Sequence, residues 1–258
     1  TDPYYPQNNK ALNHYLKAQY YLTQLDSTRW KDIIKYFELS ISLDPKFSKP
    51  MIGLCHCYTW LSSIGQVDSV TARKKIDTLI EELLELSPEI SDIYQLKADK
   101  EFWLEWKVLQ SLYNLKRSLE LKPNNSTALV MKGLVHASLG NIECAFQSLF
   151  QAEKIDPFSE NVKYCIGLLY HYAGDSQKAR DYIQANLEVS PNWLAPYLTL
   201  VEIMCSTGEV DEIPPFIEKN KNVPGFESMV PVFMGLYAGK KANQDEARHR
   251  LKEISQIL

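Results

Sequence analysis

Five prolines close near-identical phrases along this chain: Ser-Leu-Asp-Pro, Glu-Leu-Ser-Pro, Glu-Leu-Lys-Pro, Lys-Ile-Asp-Pro and Glu-Val-Ser-Pro, ending at Pro45, Pro88, Pro123, Pro157 and Pro191. Their spacings are 43, 35, 34 and 34 residues. Proline lacks an amide proton and its ring clashes with the preceding helical turn, so each phrase marks a shared helix stop. A second register runs in the same phase. Gly133 and Ala145, Gly167 and Ala179, and Gly235 and Ala247 each stand 12 residues apart. In the first two pairs the closing proline follows the alanine by another 12. Small residues at such points let two antiparallel helices approach closely, and Gly140 or Gly174 between them suits a left-handed helix end. Leu129, Leu134, Leu149 and Ile155 show apolar residues at helical spacing on both helices of a unit. One hairpin cannot bury both faces, so neighbouring units must stack. The expected fold class is all-α, a solenoid of repeated helix-turn-helix units.

Composition excludes several classes. Hydrophobic residues make up 45% and charged residues 23% of the 258 residues, which rules out chain-wide disorder. The 28 basic and 32 acidic residues leave a formal charge of −4 with no basic stripe, so this segment is not expected to bind nucleic acid. Cys55, Cys57, Cys144, Cys165 and Cys205 are odd in number and lie in apolar helical runs. They read as buried free thiols of a reducing compartment rather than a disulfide framework. No run approaches the roughly 18 apolar residues of a membrane span, and the chain opens on no signal-peptide pattern. The expected location is cytoplasmic, or the soluble part of a membrane-anchored regulator. Residues 1–10 read as a linker stub, with a natural polypeptide that begins further upstream.

The spacing small-x11-Ala-x11-Pro within 34 residues resembles the tetratricopeptide repeat (TPR), whose small residues occupy repeat positions 8, 20 and 27. Ser126 to Ser159 fits best, with Gly133, Ala145, Ala152 and Pro157, followed by Glu160 to Trp193 with Gly167, Tyr170, Ala179 and Pro191. Weaker units start near His14, Ser48, Asp92, Leu194 and Ser228, so one array of about seven units covers residues 11–258. The resemblance implies about 14 helices in a right-handed superhelix whose concave groove is lined by the first helix of each unit. Departures from the pattern are informative. Nine extra residues precede Pro88 and are expected in the turn from Ser62 to Val70. Asp99 and Trp106 stand where a small residue or glycine is usual. Pro214-Pro215 should delay or shorten the second helix of the sixth unit. The last unit ends without a polar capping helix.

Catalytic and metal chemistry find little support. Cys55-His56-Cys57 cannot converge on one zinc ion, because consecutive helical residues diverge by about 100° each. His14, His136 and His249 have no partner at catalytic spacing, and nucleophile-elbow and phosphate-loop sequences do not occur. Glu81-Glu82-Leu83-Leu84-Glu85 reads as a solvated helix face, and Asn124 to Thr127 as a loop and helix cap. The expectation is a protein that is not an enzyme and carries no cofactor.

TPR geometry directs positions 2, 5, 9, 12 and 13 of each first helix into the groove. Mapped here, these give Lys49, His56, Trp60, Lys100, Trp103, Asn161, Tyr164, His171, Tyr172 and Glu202. Aromatic rings with a few polar heads make a ligand or peptide surface. Trp60 and Trp103 can equally fill core space between helices. Position 9 carries Leu22, His56, Lys100, Leu134, Leu168 and Glu202, without the asparagine that a two-carboxylate clamp requires.

The phrases from Ala11 to Lys17, from Tyr36 to Pro45 and from Phe102 to Trp106 are similar to TPR regions carried behind helix-turn-helix domains of bacterial transcription regulators. That resemblance implies a sensor or interaction segment that takes a protein, peptide or small-molecule ligand in its groove. A stand-alone scaffold that binds a peptide or protein helix is the alternative. Self-association through the uncapped end is a further expectation.

Overall fold

The computed structural model describes residues 4–23, 29–63, 65–86 and 90–240. Among these there are thirteen α-helices and no strand. They follow as pairs: α1 (Asn9–Thr23) and α2 (Trp30–Leu43), α3 (Ser48–Ser63) and α4 (Ser69–Leu86), α5 (Ser91–Trp103) and α6 (Val108–Leu121). After them come α7 (Ser126–Ser138) and α8 (Ile142–Ile155), α9 (Glu160–Tyr172) and α10 (Ser176–Val189), α11 (Ala195–Thr207) and α12 (Ile213–Asn220), then α13 (Val230–Lys240). The chain divides into two compact units, Thr1–Val135 and His136–Leu258, each with its own buried clusters. Residues 241–258, among them Ala247 and His249, lie outside the described residues, as does Pro88.

The prolines act as their spacing predicts. Pro45, Pro123, Pro157 and Pro191 each stand two residues past the end of α2, α6, α8 and α10. The residue before each proline donates its amide to a carbonyl four residues back: Asp44 to Ser40, Lys122 to Ser118, Asp156 to Ala152 and Ser190 to Asn186. The same residue then accepts from the amide three residues on, at Phe47, Asn125, Ser159 and Trp193. Four turns of one hydrogen-bonded design thus reverse the chain where the proline forbids another helical turn.

The residue five before Pro45, Pro123 and Pro191 ties its hairpin together. Ser40 Oγ donates to the Ala11 carbonyl at 2.7 Å, and Asn186 Nδ2 to the Glu160 carbonyl at 2.6 Å. Ser118 and Ser91 meet through their hydroxyls at 2.9 Å. These buried side chains satisfy first-helix carbonyls or caps from the second helix. By this bond the first repeat aligns on Ala11 rather than His14, with Ala18 fully buried as its small residue. The start of the chain is packed, not a free linker, over its described part: Tyr4 Oη donates to Asp92 Oδ2 at 2.5 Å, and the amides of Gln7 and Asn8 donate to Asp44.

The nine extra residues of the second repeat fall around the Ser62 to Val70 turn, as expected, but most of them are helical and lengthen the inner ends of α3 and α4. Against α7 and α8, helix α3 has 16 residues instead of 13 and α4 has 18 instead of 14, so the interhelix segment holds only the remainder. Pro214 and Pro215 open α12 and leave it only 8 residues long, as expected. Between paired helices the chain needs one left-handed residue, supplied by Gly140 (φ 75°), Gly174 (87°) and Gly208 (83°). In the third repeat the same slot is held by Trp106, at φ 57° and 80% exposed. A bulky residue there is strained, and its ring is not rewarded by burial.

Candidate ligand-binding faces

In the first unit the candidate residues come from α3 and α5. Lys49, at the start of α3, is exposed. His56 lies about two turns further along, with 40% of its side chain exposed and its Nδ1 3.7 Å from Asp99 Oδ2. Asp99 is buried, holds a hydrogen bond from Gln95, and has its carboxyl pushed up to about 7 by burial, against the pull of that bond. Burial lowers the His56 imidazole, with Asp92 opposing. Both directions favour an uncharged His56–Asp99 pair. Lys49 and His56 line a 490 Å³ cavity together with Tyr4, Tyr15 and Asp92.

The other three candidates of this unit do not line that cavity. Trp60 packs as a partly buried ring against the core of α2, α3 and α4. Lys100 is spent internally, 2.5 Å from Asp77 and 3.5 Å from Glu105, with 15% of its side chain exposed. Burial works against its charge, but Asp77 and Glu105 outweigh it and hold the ammonium above its usual range. Trp103 stands edge-on to Phe102 at 4.9 Å and is 46% exposed, available to a ligand. A cavity that sequence reasoning missed, 510 Å³ and mostly apolar, lies beside the second helices between Ile41, Leu54, Tyr58 and Leu79. Its only trace in the sequence is the extra length before Pro88.

In the second unit the candidates do converge. Tyr164 on α9 packs its ring on Trp193 at 4.7 Å, and its hydroxyl meets Thr199 Oγ1 of α11 at 3.3 Å. His171 and Tyr172 lie side by side at 5.5 Å between ring centroids. His171 Nδ1 is buried with no hydrogen-bond partner, whereas the Tyr172 ring is 67% exposed. Glu202 on α11 is half-buried. Burial pushes its carboxyl up and His171 opposes that shift. Burial also raises the Tyr164 and Tyr172 hydroxyls, and Glu202 adds to both shifts, so the three acids share one local field. Asn161, at the start of α9, is exposed and accepts weakly from Cys165 Sγ at 3.9 Å. Trp193 was missed by position counting because it sits in the turn before α11. Its signal was an aromatic residue two positions after a repeat-closing proline.

Solved structures match this helix-pair pattern over most of the chain. A tetratricopeptide-repeat protein from Parabacteroides merdae is 13% identical, covers 96% of this chain and 93% of its own, and superposes with a TM-score of 0.62. TTC0263, a thermophilic TPR protein of Thermus thermophilus, is 20% identical over 75% of this chain and 98% of its own, with a TM-score of 0.59. The APC/C hetero-tetramer Cut9–Hcn1 gives a TM-score of 0.68 at 14% identity, covering 88% of this chain and 43% of its own. The fold is that of the tetratricopeptide repeat. No family model and no curated protein matches the sequence.

Within the TPR hairpins, Cys55 and Cys57 point into the core while His56 faces the cavity, so the three side chains diverge. Burial drives the Cys55 thiol up and pushes Cys57 and Cys165 to about 12. Cys144 departs from the expected burial and is exposed, because it falls on the outer face of α8. Among the described residues no group of three or more His, Cys, Asp or Glu side chains is placed to hold a metal ion. No described helix is long and apolar enough to cross a membrane.

Proposed function

We propose that this chain is a non-catalytic interaction array that takes a peptide or protein segment on the face of its first helices. The observation that carries the reading is the cluster of Tyr164, His171, Tyr172 and Glu202 on α9 and α11, where exposed aromatic surface adjoins unpaired polar groups. Such a surface offers contact area at low entropic cost beside groups that fix orientation. The Cut9–Hcn1 structure, to which this chain is similar in fold, is a hetero-tetramer, which supports a macromolecular partner here. On the sequence phrases that resemble regulator TPR regions, the array is the sensor arm of a bacterial helix-turn-helix transcription regulator. A stand-alone scaffold fits the same geometry equally well. In either setting, binding acts through repeats that touch only their neighbours, so a partner shifts the packing between adjacent hairpins.

The test is retention of partners from the source cells on wild-type protein and on a Trp103→Ala/Tyr172→Ala variant. Both rings are exposed, so helicity by circular dichroism is expected to be unchanged while retention falls at least tenfold. Equal retention by the two proteins removes these faces as contact surfaces. The regulator setting is tested separately by sequencing the reading frame upstream of Thr1. A helix-turn-helix domain there supports the sensor role, and a start codon within a few residues of Thr1 leaves the stand-alone scaffold.

A further inference from the structure

Glu202 is the anomaly of the second unit. Its carboxylate is half-buried between α9 and α11, yet among the described residues it accepts no hydrogen bond and forms no ion pair. Burying an ionised carboxylate without a partner is unfavourable, and folded chains relieve it by pairing or neutralising the group. Here the partner is missing. His171 acts on it only from beyond ion-pair distance, and its own Nδ1 is buried unbonded.

The surroundings specify what would complete the site. Tyr164 is fixed by the Trp193 ring and the Thr199 hydroxyl, which makes a rigid aromatic wall. Tyr172 presents an open ring, 67% exposed, within the electrostatic reach of the same carboxylate. A carboxylate beside aromatic faces attracts a cation twice: through the negative charge and through the ring quadrupole. An anion or an apolar group would leave the half-buried carboxylate unpaired. The formal charge of −4 on the chain also favours approach of a basic partner.

We propose that the α9–α11 face is a receptor for an arginine or lysine side chain, seated on the Tyr172 ring against the Glu202 carboxylate, within a bound basic peptide. The inference rests on the peptide-binding reading above and names its ligand class. A planar guanidinium suits both contacts at once, so arginine is preferred over lysine.

The experiment probes the full chain against an array of random dodecapeptides, then measures retained peptides by fluorescence anisotropy. Arginine and lysine are expected to be enriched among retained peptides. Replacing the key arginine by citrulline, its neutral isostere, is expected to weaken binding to wild type about tenfold, and Glu202→Gln to do the same. The two losses will not add, because each removes one side of a single contact. Tyr172→Leu, at an exposed ring, provides a second variant that keeps the fold and loses severalfold in affinity. Peptides retained without basic enrichment, or losses that add independently, overturn the cation receptor and leave the peptide-binding reading intact. Retention of no peptide by wild type overturns both.

Discussion

Asp99→Asn is expected to stabilise the protein, and more so at alkaline than at acid pH. Asp99 follows Ala98, the residue that matches Gly133 and Gly167 when the repeats are aligned on their helix starts, and only 8% of it is exposed. Its carboxyl is held at about 7, against an ordinary value of 3.8. Above pH 7 both folded and unfolded chains carry the charge, and the folded chain bears the full cost of burying it. As pH falls from 7 toward 3.8 the folded state takes up a proton that the unfolded state does not, so stability rises. Below 3.8 the cost is gone. At about 1.4 kcal/mol per pH unit, the gap corresponds to about 4 kcal/mol at pH 8 and under about 2 kcal/mol at pH 5. Asparagine keeps the shape and the hydrogen bond to Gln95 but cannot ionise. Urea unfolding followed by circular dichroism, on both proteins at pH 8 and pH 5, reads the difference directly, and other titrating groups cancel between them. A gain from the substitution that is the same at both pH values refutes the burial argument. A loss at pH 8 shows instead that His56, 3.7 Å away, holds an ionised Asp99 in a stabilising ion pair.

Three further outcomes follow from the hairpin geometry. Trp106→Gly is expected to raise stability by roughly 0.5–1 kcal/mol, read as a higher thermal midpoint, because glycine relieves the left-handed strain and little buried surface is lost. Gly167→Val is expected to cost about 1–3 kcal/mol in urea unfolding, since a Cβ there would lie 2.9 Å from Ile183 Cδ1 on the paired helix. In the native protein one thiol is expected to react rapidly with Ellman's reagent, and Cys144→Ser to abolish that phase, because the other four cysteines are buried.

How much of this was legible in the sequence varies with the physics involved. The prolines and small residues act through local sterics, so the helix boundaries at Leu43, Leu121, Ile155 and Val189 could be read directly. The short α12 followed from Pro214-Pro215 for the same reason. The extra length of the second repeat could be counted and placed near the Ser62 to Val70 turn, but not its form, because helices α3 and α4 absorb added turns at no steric cost. Position counting put Lys100 into the ligand-binding set, yet Asp77 on α4 claims it. Such a pairing depends on which side chains meet across hairpins, which periodicity does not encode. Trp60 and Trp103 occupy the same nominal kind of position, and packing separates them into a core ring and an exposed one. Counting grouped Glu202 with the α9 candidates, but its want of a partner is visible only once α9 and α11 are set side by side.

The claim that first-helix faces are the contact surface is tested most directly by site-specific photocrosslinking. p-Benzoylphenylalanine is placed at Trp103 and Tyr172, and as a control at Tyr113, an equally exposed aromatic on the second helix α6. Irradiation in the source cells is expected to capture partner proteins from positions 103 and 172 and none from position 113. Capture from position 113 alone would contradict the account and move the interaction to the second-helix face.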